Sequence, residues 1–162
     1  MIKTAIKSME ENMDQVTKAV ELFGQGYMCS QAVFAAFSEH YGVTEKQALQ
    51  IGGCFGGGMN KGEVCGACTG ALMVLGLRYG QVDLNDPDSR MAEHAKAVQF
   101  LEEFKKRKGS YICRELLGCD ISTEEGRSYA IDNGLFGKLC PEMVRTAAEI
   151  VAEMLAESES ER

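Results

Sequence analysis

The 162-residue sequence has no tryptophan, two prolines and only 7% aromatic residues. It has no long basic run, and its formal net charge is −7. Nucleic acid and anionic membrane both require a cationic face, so neither is an expected partner. No apolar run reaches the roughly 18 residues of a membrane span, so no membrane insertion is expected. The opening segment MIKTAIKSMEENMDQ holds no apolar stretch of signal-peptide length and is acidic by Glu10. The expectation is a cytoplasmic protein. Strand-like alternation and internal repeats are absent as well, which points to an all-α fold.

Cysteine and glycine are plentiful, at seven and 18 residues. An odd number of cysteines cannot be fully paired within one chain. In a reducing compartment, clustered cysteines point to metal or redox chemistry rather than structural disulfides. Three of them, Cys54, Cys65 and Cys68, fall in the glycine-rich stretch GGCFGGGMNKGEVCGAC that precedes an apolar run to Tyr79.

Helical period dominates elsewhere. Met9, Met13, Val16, Val20 and Phe23 share one face. Cys29, Val33, Phe37 and Tyr41 share another, stopped by Gly42. Thr44 and Gln47 form a capping box. Glu63 to Tyr79 is apolar nearly all round and is expected to be central. Asp88 or Ser89 can cap a helix to about Arg107, with Met91, Ala95, Val98, Leu101 and Phe104 inward. A short helix is expected from Cys113 to Gly118, and Ser122 with Glu125 offers a second capping box. Pro141 suits the first position of a final helix bearing Met143, Ala147, Ile150, Val151 and Met154. The expected fold is a single-domain bundle of five to seven helices over residues 1–157, with a frayed tail at 158–162. Its Gly/Cys-rich loop leads into the central helix.

On this reading Cys29, Cys65, Cys113 and Cys140 each lie at or near a helix start. The helix dipole and unpaired N–H groups there favour a thiolate. Four such residues on four helices indicate a shared site. A buried thiol can equally be a small packing residue, which is the default for Cys54 and Cys119, while Cys68 stays open. Cys65 and Cys68 form C-x-x-C on one helix face, without the βαβ context of a thioredoxin site. Thr69 follows, so the motif is not a c-type haem attachment. The glycine loop fails as a phosphate loop, because Glu63 stands where the lysine belongs. Its expected role is close backbone approach, with Gly56, Gly57, Gly58 and Gly66 aiming N–H groups at a cluster or thiolate sulfur. His40, His94, Glu10, Glu11 and the Glu102–Lys108 charge run are expected at the surface.

Cys29 in YMCSQAVFAAF, GGCFGGGM followed by GEVCGACTGALMVLGL, Cys113 in YICRELLGCD and Cys140 in LCPEMVRTAAEIV resemble one known pattern. The chain is similar, from about Val16 to Leu155, to the redox-active protein family named for its C…GCAxxG…C…C cysteines. The resemblance implies four key cysteines, here Cys29, Cys65, Cys113 and Cys140, in a mainly helical protein typical of anaerobic bacteria. Such proteins are often encoded near oxidoreductase or transporter genes. Related sequence occurs in split-Soret cytochromes, which carry an iron–sulfur centre besides haem. This chain lacks C-x-x-C-H and resembles a haem-free version.

Two chemistries follow. In the favoured one, Cys29, Cys65, Cys113 and Cys140 hold an iron–sulfur cluster that transfers electrons with a redox partner protein. In the other, Cys65 is the attacking thiolate of a thiol–disulfide oxidoreductase and Cys68 or another cysteine resolves it. A zinc–thiolate module is a lesser alternative. A homo-oligomer is compatible with all three.

Overall fold

The computed structural model describes the backbone of residues 2–160 and the side-chain surroundings of residues 13–157. Among the described residues there are eight α-helices and no strand. They are α1 (Ile2–Gly24), α2 (Cys29–Ser38), α3 (Glu45–Gly52), α4 (Gly66–Tyr79), α5 (Pro87–Lys108), α6 (Cys113–Leu117), α7 (Glu124–Asp132) and α8 (Leu135–Ser160). The all-α bundle is as expected, with eight helices in place of the expected five to seven.

Local signals explain most boundaries. Gly42, at φ 78°, ends the 3₁₀ turn that extends α2. Thr44 and Gln47 form the capping box of α3. Gly109 and Gly118 stop α5 and α6 with left-handed backbone. Asp86, not Asp88 or Ser89, caps α5, because Pro87 already fits the first helical position and Asp86 accepts from the Ser89 N–H. Thr123, not Ser122, caps α7: Ser122 is held instead in a turn by the Asp120 carboxylate.

The final helix starts earlier than Pro141 predicts. Gly134, at φ 63°, separates α7 from α8, and the Lys138 N–H bonds back to its carbonyl. Pro141 is therefore inside the helix. It deprives only the Gly137 carbonyl of a partner, and Gly137 is exposed to water. The apolar helix likewise begins at Gly66 rather than Glu63, with Cys65 as its N-cap.

The main core gathers α1, α2, α4, α5 and α8 around Val33, Phe37, Val74, Phe100, Phe104, Val144 and Val151. Helix α4 is central, touching α2, α5 and α8. Each of the three phenylalanines contributes on the order of 1.5–3 kcal/mol by burial. On α1 the inward face is Val16, Ala19 and Leu22, while Met13 is exposed and Met9 lies outside the described side chains, as do Glu10 and Glu11. On α5 the stripe is rotated from its expected position. Met91 is 70% and Val98 60% exposed, and Ala95 is also outside. Phe100 and Phe104 carry more apolar area, stack on one another, and settle which face turns inward.

A second, smaller cluster consists of Cys113, Leu117, Ile121 and Ala130, with Cys119, Phe136, Leu139 and Cys140 against it. It lies over the C-terminal side of the glycine stretch, where α6 meets the turn at Gly58–Gly62.

Candidate functional site

The glycine stretch is a chain of defined turns. Gly53–Phe55 forms a 3₁₀ turn and Gly58–Gly62 a wider one. Gly57, Gly58, Met59 and Asn60 have φ of 60°, 58°, 57° and 55°, one left-handed turn in succession. Such a conformation costs an ordinary residue like Met59 on the order of 1–2 kcal/mol. At Gly58 a Cβ would lie 2.5 Å from the Glu63 backbone nitrogen, so glycine is required there for space as well as for conformation.

Beyond this turn the chain runs extended. Val64 and Ile112 form an isolated antiparallel bridge. The Cys65 N–H donates to the Tyr111 carbonyl at 2.8 Å, and the Cys113 N–H donates to the Glu63 carbonyl at 2.6 Å. An Arg114–Glu63 ion pair at 2.5 Å joins the same two segments. Cys65 and Cys113 thus flank one bridge, diagonally across it, from far apart in sequence.

Cys29 is fixed from another direction. The Ser30 hydroxyl donates to the Gly52 carbonyl at 2.7 Å, and Gln31 bridges the Met28 N–H and the Leu49 carbonyl. Gly66 and Gly70 let α4 approach α2: a Cβ on Gly66 would overlap the Cys29 sulfur, and one on Gly70 would lie 2.6 Å from the Ser30 carbonyl oxygen. Cys140, on α8, closes the set.

These four cysteines line one cavity of about 340 Å³ at the seam between the two hydrophobic clusters. Cys29, Cys65 and Cys113 are buried on its floor, and Cys140 is half-buried. Phe23, Ile121, Phe136 and Met143 make the apolar wall, and Gly57 adds backbone. The rim carries Tyr27, Met28, Asn60 and Arg127, all exposed. The other three cysteines do not line the cavity. Cys54 is exposed rather than packed, Cys119 is half-buried against the small cluster, and Cys68 is fully buried behind Cys65.

Of the glycines expected at a cofactor, only Gly57 faces the cavity, and its N–H points to the Cys29 sulfur. Gly66 serves by leaving room for that sulfur. Gly56 makes room for Met28 and Gly58 for Glu63, so both shape the turn from outside the cavity.

The helix-start expectation holds in position for Cys29, Cys65 and Cys113, and in acidity for Cys65 alone. Cys29 and Cys113 open α2 and α6, and Cys65 caps α4, but Cys140 is in the second turn of α8. Burial pushes the Cys29 thiol up to about 11, further raised by charge on Cys65, against N–H groups of Gly57 and Ser30 that favour the thiolate. Burial likewise raises Cys113, with the neighbouring Cys65 and Cys29 adding to it, and takes Cys140 to about 12. Desolvation outweighs the helix dipole at all three. Cys65 alone is lowered, chiefly by a hydrogen bond from the Cys68 thiol and then, against burial, by the Ala67 and Cys68 N–H groups. Cys68 is correspondingly raised, by burial and by that hydrogen bond.

The rim residues carry no sequence signal. Arg127 is a lone cation on a polar helix, and the left-handed turn at Met59 and Asn60 hides among glycines. His40 and His94 are exposed, as expected. No described helix is long and apolar enough to cross a membrane.

No curated protein and no solved structure matches the chain. Residues 27–154 match a protein family described as "Putative redox-active protein (C_GCAxxG_C_C)". That span includes all four cavity cysteines and most of the chain, and the chain belongs to this redox-active family.

Proposed function

We propose that the protein transfers electrons through an iron–sulfur cluster held by Cys29, Cys65, Cys113 and Cys140. The observation that carries this reading is that these four thiols, three on α2, α6 and α8 and one at the cap of α4, line one cavity and the other three cysteines do not. The surroundings suit an anionic sulfur centre. N–H groups of Gly57, Ala67 and Cys68 face two of the sulfurs, where hydrogen bonds to sulfur raise a cluster's potential. The cavity wall is otherwise apolar and keeps water away.

Four thiols lining one cavity are the donor set of an iron–sulfur centre, and a zinc–thiolate site is the lesser alternative. The cluster, when bound, supplies one-electron chemistry. The chain's own part is to fix the four sulfurs, donate N–H groups to them and exclude solvent. An acidic protein surface would steer a basic redox partner.

The Cys68–Cys65 hydrogen bond supports a second reading, thiol–disulfide exchange. The Cys65 thiolate would attack a substrate disulfide and release one thiolate. Cys68 would then lose its proton and attack the Cys65 sulfur, releasing the second thiolate and leaving a Cys65–Cys68 disulfide. The substrate gains two electrons and the protein gives them.

Visible and electron paramagnetic resonance spectra of anaerobically purified protein, before and after dithionite, test the first reading. A broad visible band that bleaches, with a paramagnetic signal in one redox state, is expected. A featureless spectrum after attempted reconstitution would move the assignment to Cys65 and Cys68.

A further inference from the structure

The cavity has a chemistry of its own apart from its thiols. Its wall is apolar, and its volume of about 340 Å³ is that of a small organic molecule. Arg127, on α7, stands on its rim and is the one side chain of permanent charge that lines it. The guanidinium has no carboxylate at ion-pair distance and no side-chain hydrogen bond among the described residues. Arg107 is paired with Glu103 and Glu153, and Arg114 with Glu63; Arg78, Arg90 and Arg145 have no ion pair among those described either, and what sets Arg127 apart is its place on the cavity rim. In a chain of net charge −7, an unpaired arginine over an apolar cavity is a site for an anion.

The two ends of the cavity differ. The buried thiols form the floor, while Arg127, Asn60, Tyr27 and Met28 form the exposed rim. A ligand that satisfies both ends has one anionic group and an apolar body. The anionic group meets Arg127, with the Asn60 amide beside it, and the body enters along Phe136 and Met143.

From this geometry we infer that the cavity mouth binds a small organic anion, a carboxylate or sulfonate on an apolar body, with Arg127 as its anchoring cation. Such a ligand is delivered next to the four thiols. The inference rests on the rim and the mouth of the cavity, outside the four sulfurs on its floor that the iron–sulfur reading uses.

The test uses the full chain purified anaerobically, with 2-naphthalenesulfonate and its neutral isostere 2-naphthalenesulfonamide as probes. Calorimetric titration should show one site, with the sulfonate bound at least about tenfold more tightly. Arg127→Gln should abolish that preference and leave the sulfonamide affinity unchanged. Arg127→Lys should restore part of it. Asn60→Asp is isosteric and compatible with left-handed backbone; it should weaken the sulfonate alone, which a folding defect would not do. Binding of neither probe, or a sulfonate preference that survives Arg127→Gln, overturns the inference. Iron content measured on the same samples separates this outcome from the fate of the cluster reading.

Discussion

Cys65 and Cys113 are held diagonally across the Val64–Ile112 bridge by paired backbone hydrogen bonds, Cys65 N–H to the Tyr111 carbonyl and Cys113 N–H to the Glu63 carbonyl. This pairing is the only β-type contact among the described residues. It places two of the four thiols that line the cavity.

If the four cysteines act together, they should fail together. Cys29→Ser, Cys65→Ser, Cys113→Ser and Cys140→Ser are each expected to reduce iron retained after reconstitution to background. Cys54→Ser and Cys119→Ser should retain iron at the level of the unsubstituted protein. Iron and sulfide per chain is the measurement, and loss confined to Cys54→Ser would refute the ligand assignment.

Cys68 separates the two chemistries. Cys68→Ala removes the thiol that donates to Cys65. The Cys65 thiolate should then form at higher pH, seen as an upward shift in the ultraviolet thiolate titration. Iron content should stay unchanged if Cys68 is outside the ligand set, and a Cys68→Ala protein without iron would bring it in.

Gly66 is tested by adding one methyl group. Gly66→Ala puts a Cβ onto the Cys29 sulfur, where overpacking costs about 1–3 kcal/mol. A lower urea midpoint and lost iron binding are expected. Gly76, also in α4, has nothing within 4 Å of a built Cβ, so Gly76→Ala should stabilise by about 0.4–1 kcal/mol. Equal effects of the two substitutions would contradict the close-approach account.

The raised thiols make an alkaline prediction. Cys29 is at about 11 and Cys140 at about 12 when folded, against an ordinary 9.0. A raised folded value contributes stability that is present below the unfolded value and lost as pH rises through the folded one. Cys65 is lowered and has the opposite sign, its contribution lost as pH falls. The reduced, metal-free chain should therefore lose stability from pH 9 to about 11, and Cys29→Ala should flatten that slope of the urea midpoint. An unchanged slope would show that Cys29 is not desolvated.

Much of this was legible in the sequence, because the signals were local. Thr44 with Gln47, Gly42 and Gly118 act over one turn, and the helical period of Met143 to Met154 follows one face. The four cavity cysteines were marked by their resemblance to a family pattern and by their expected places at helix starts. What was not legible depends on partners distant in sequence. Pro141 suits a helix start, yet Gly134 sets it earlier, so Cys140 reaches the cavity from inside α8. The expected α5 stripe ran through Met91 and Val98, and it is the packing of Phe100 beside Phe104 against α4 and α8 that rotates it. The thiol acidities followed burial, which periodicity does not measure.

The central claim is that the four cysteines hold an iron–sulfur cluster. The most direct measurement is iron and acid-labile sulfide per chain after strictly anaerobic purification and reconstitution. The account predicts iron and sulfide in equal amounts, bound stably through gel filtration and lost in Cys140→Ser. A protein that remains free of both, while its Cys65 and Cys68 cycle between dithiol and disulfide, would contradict it.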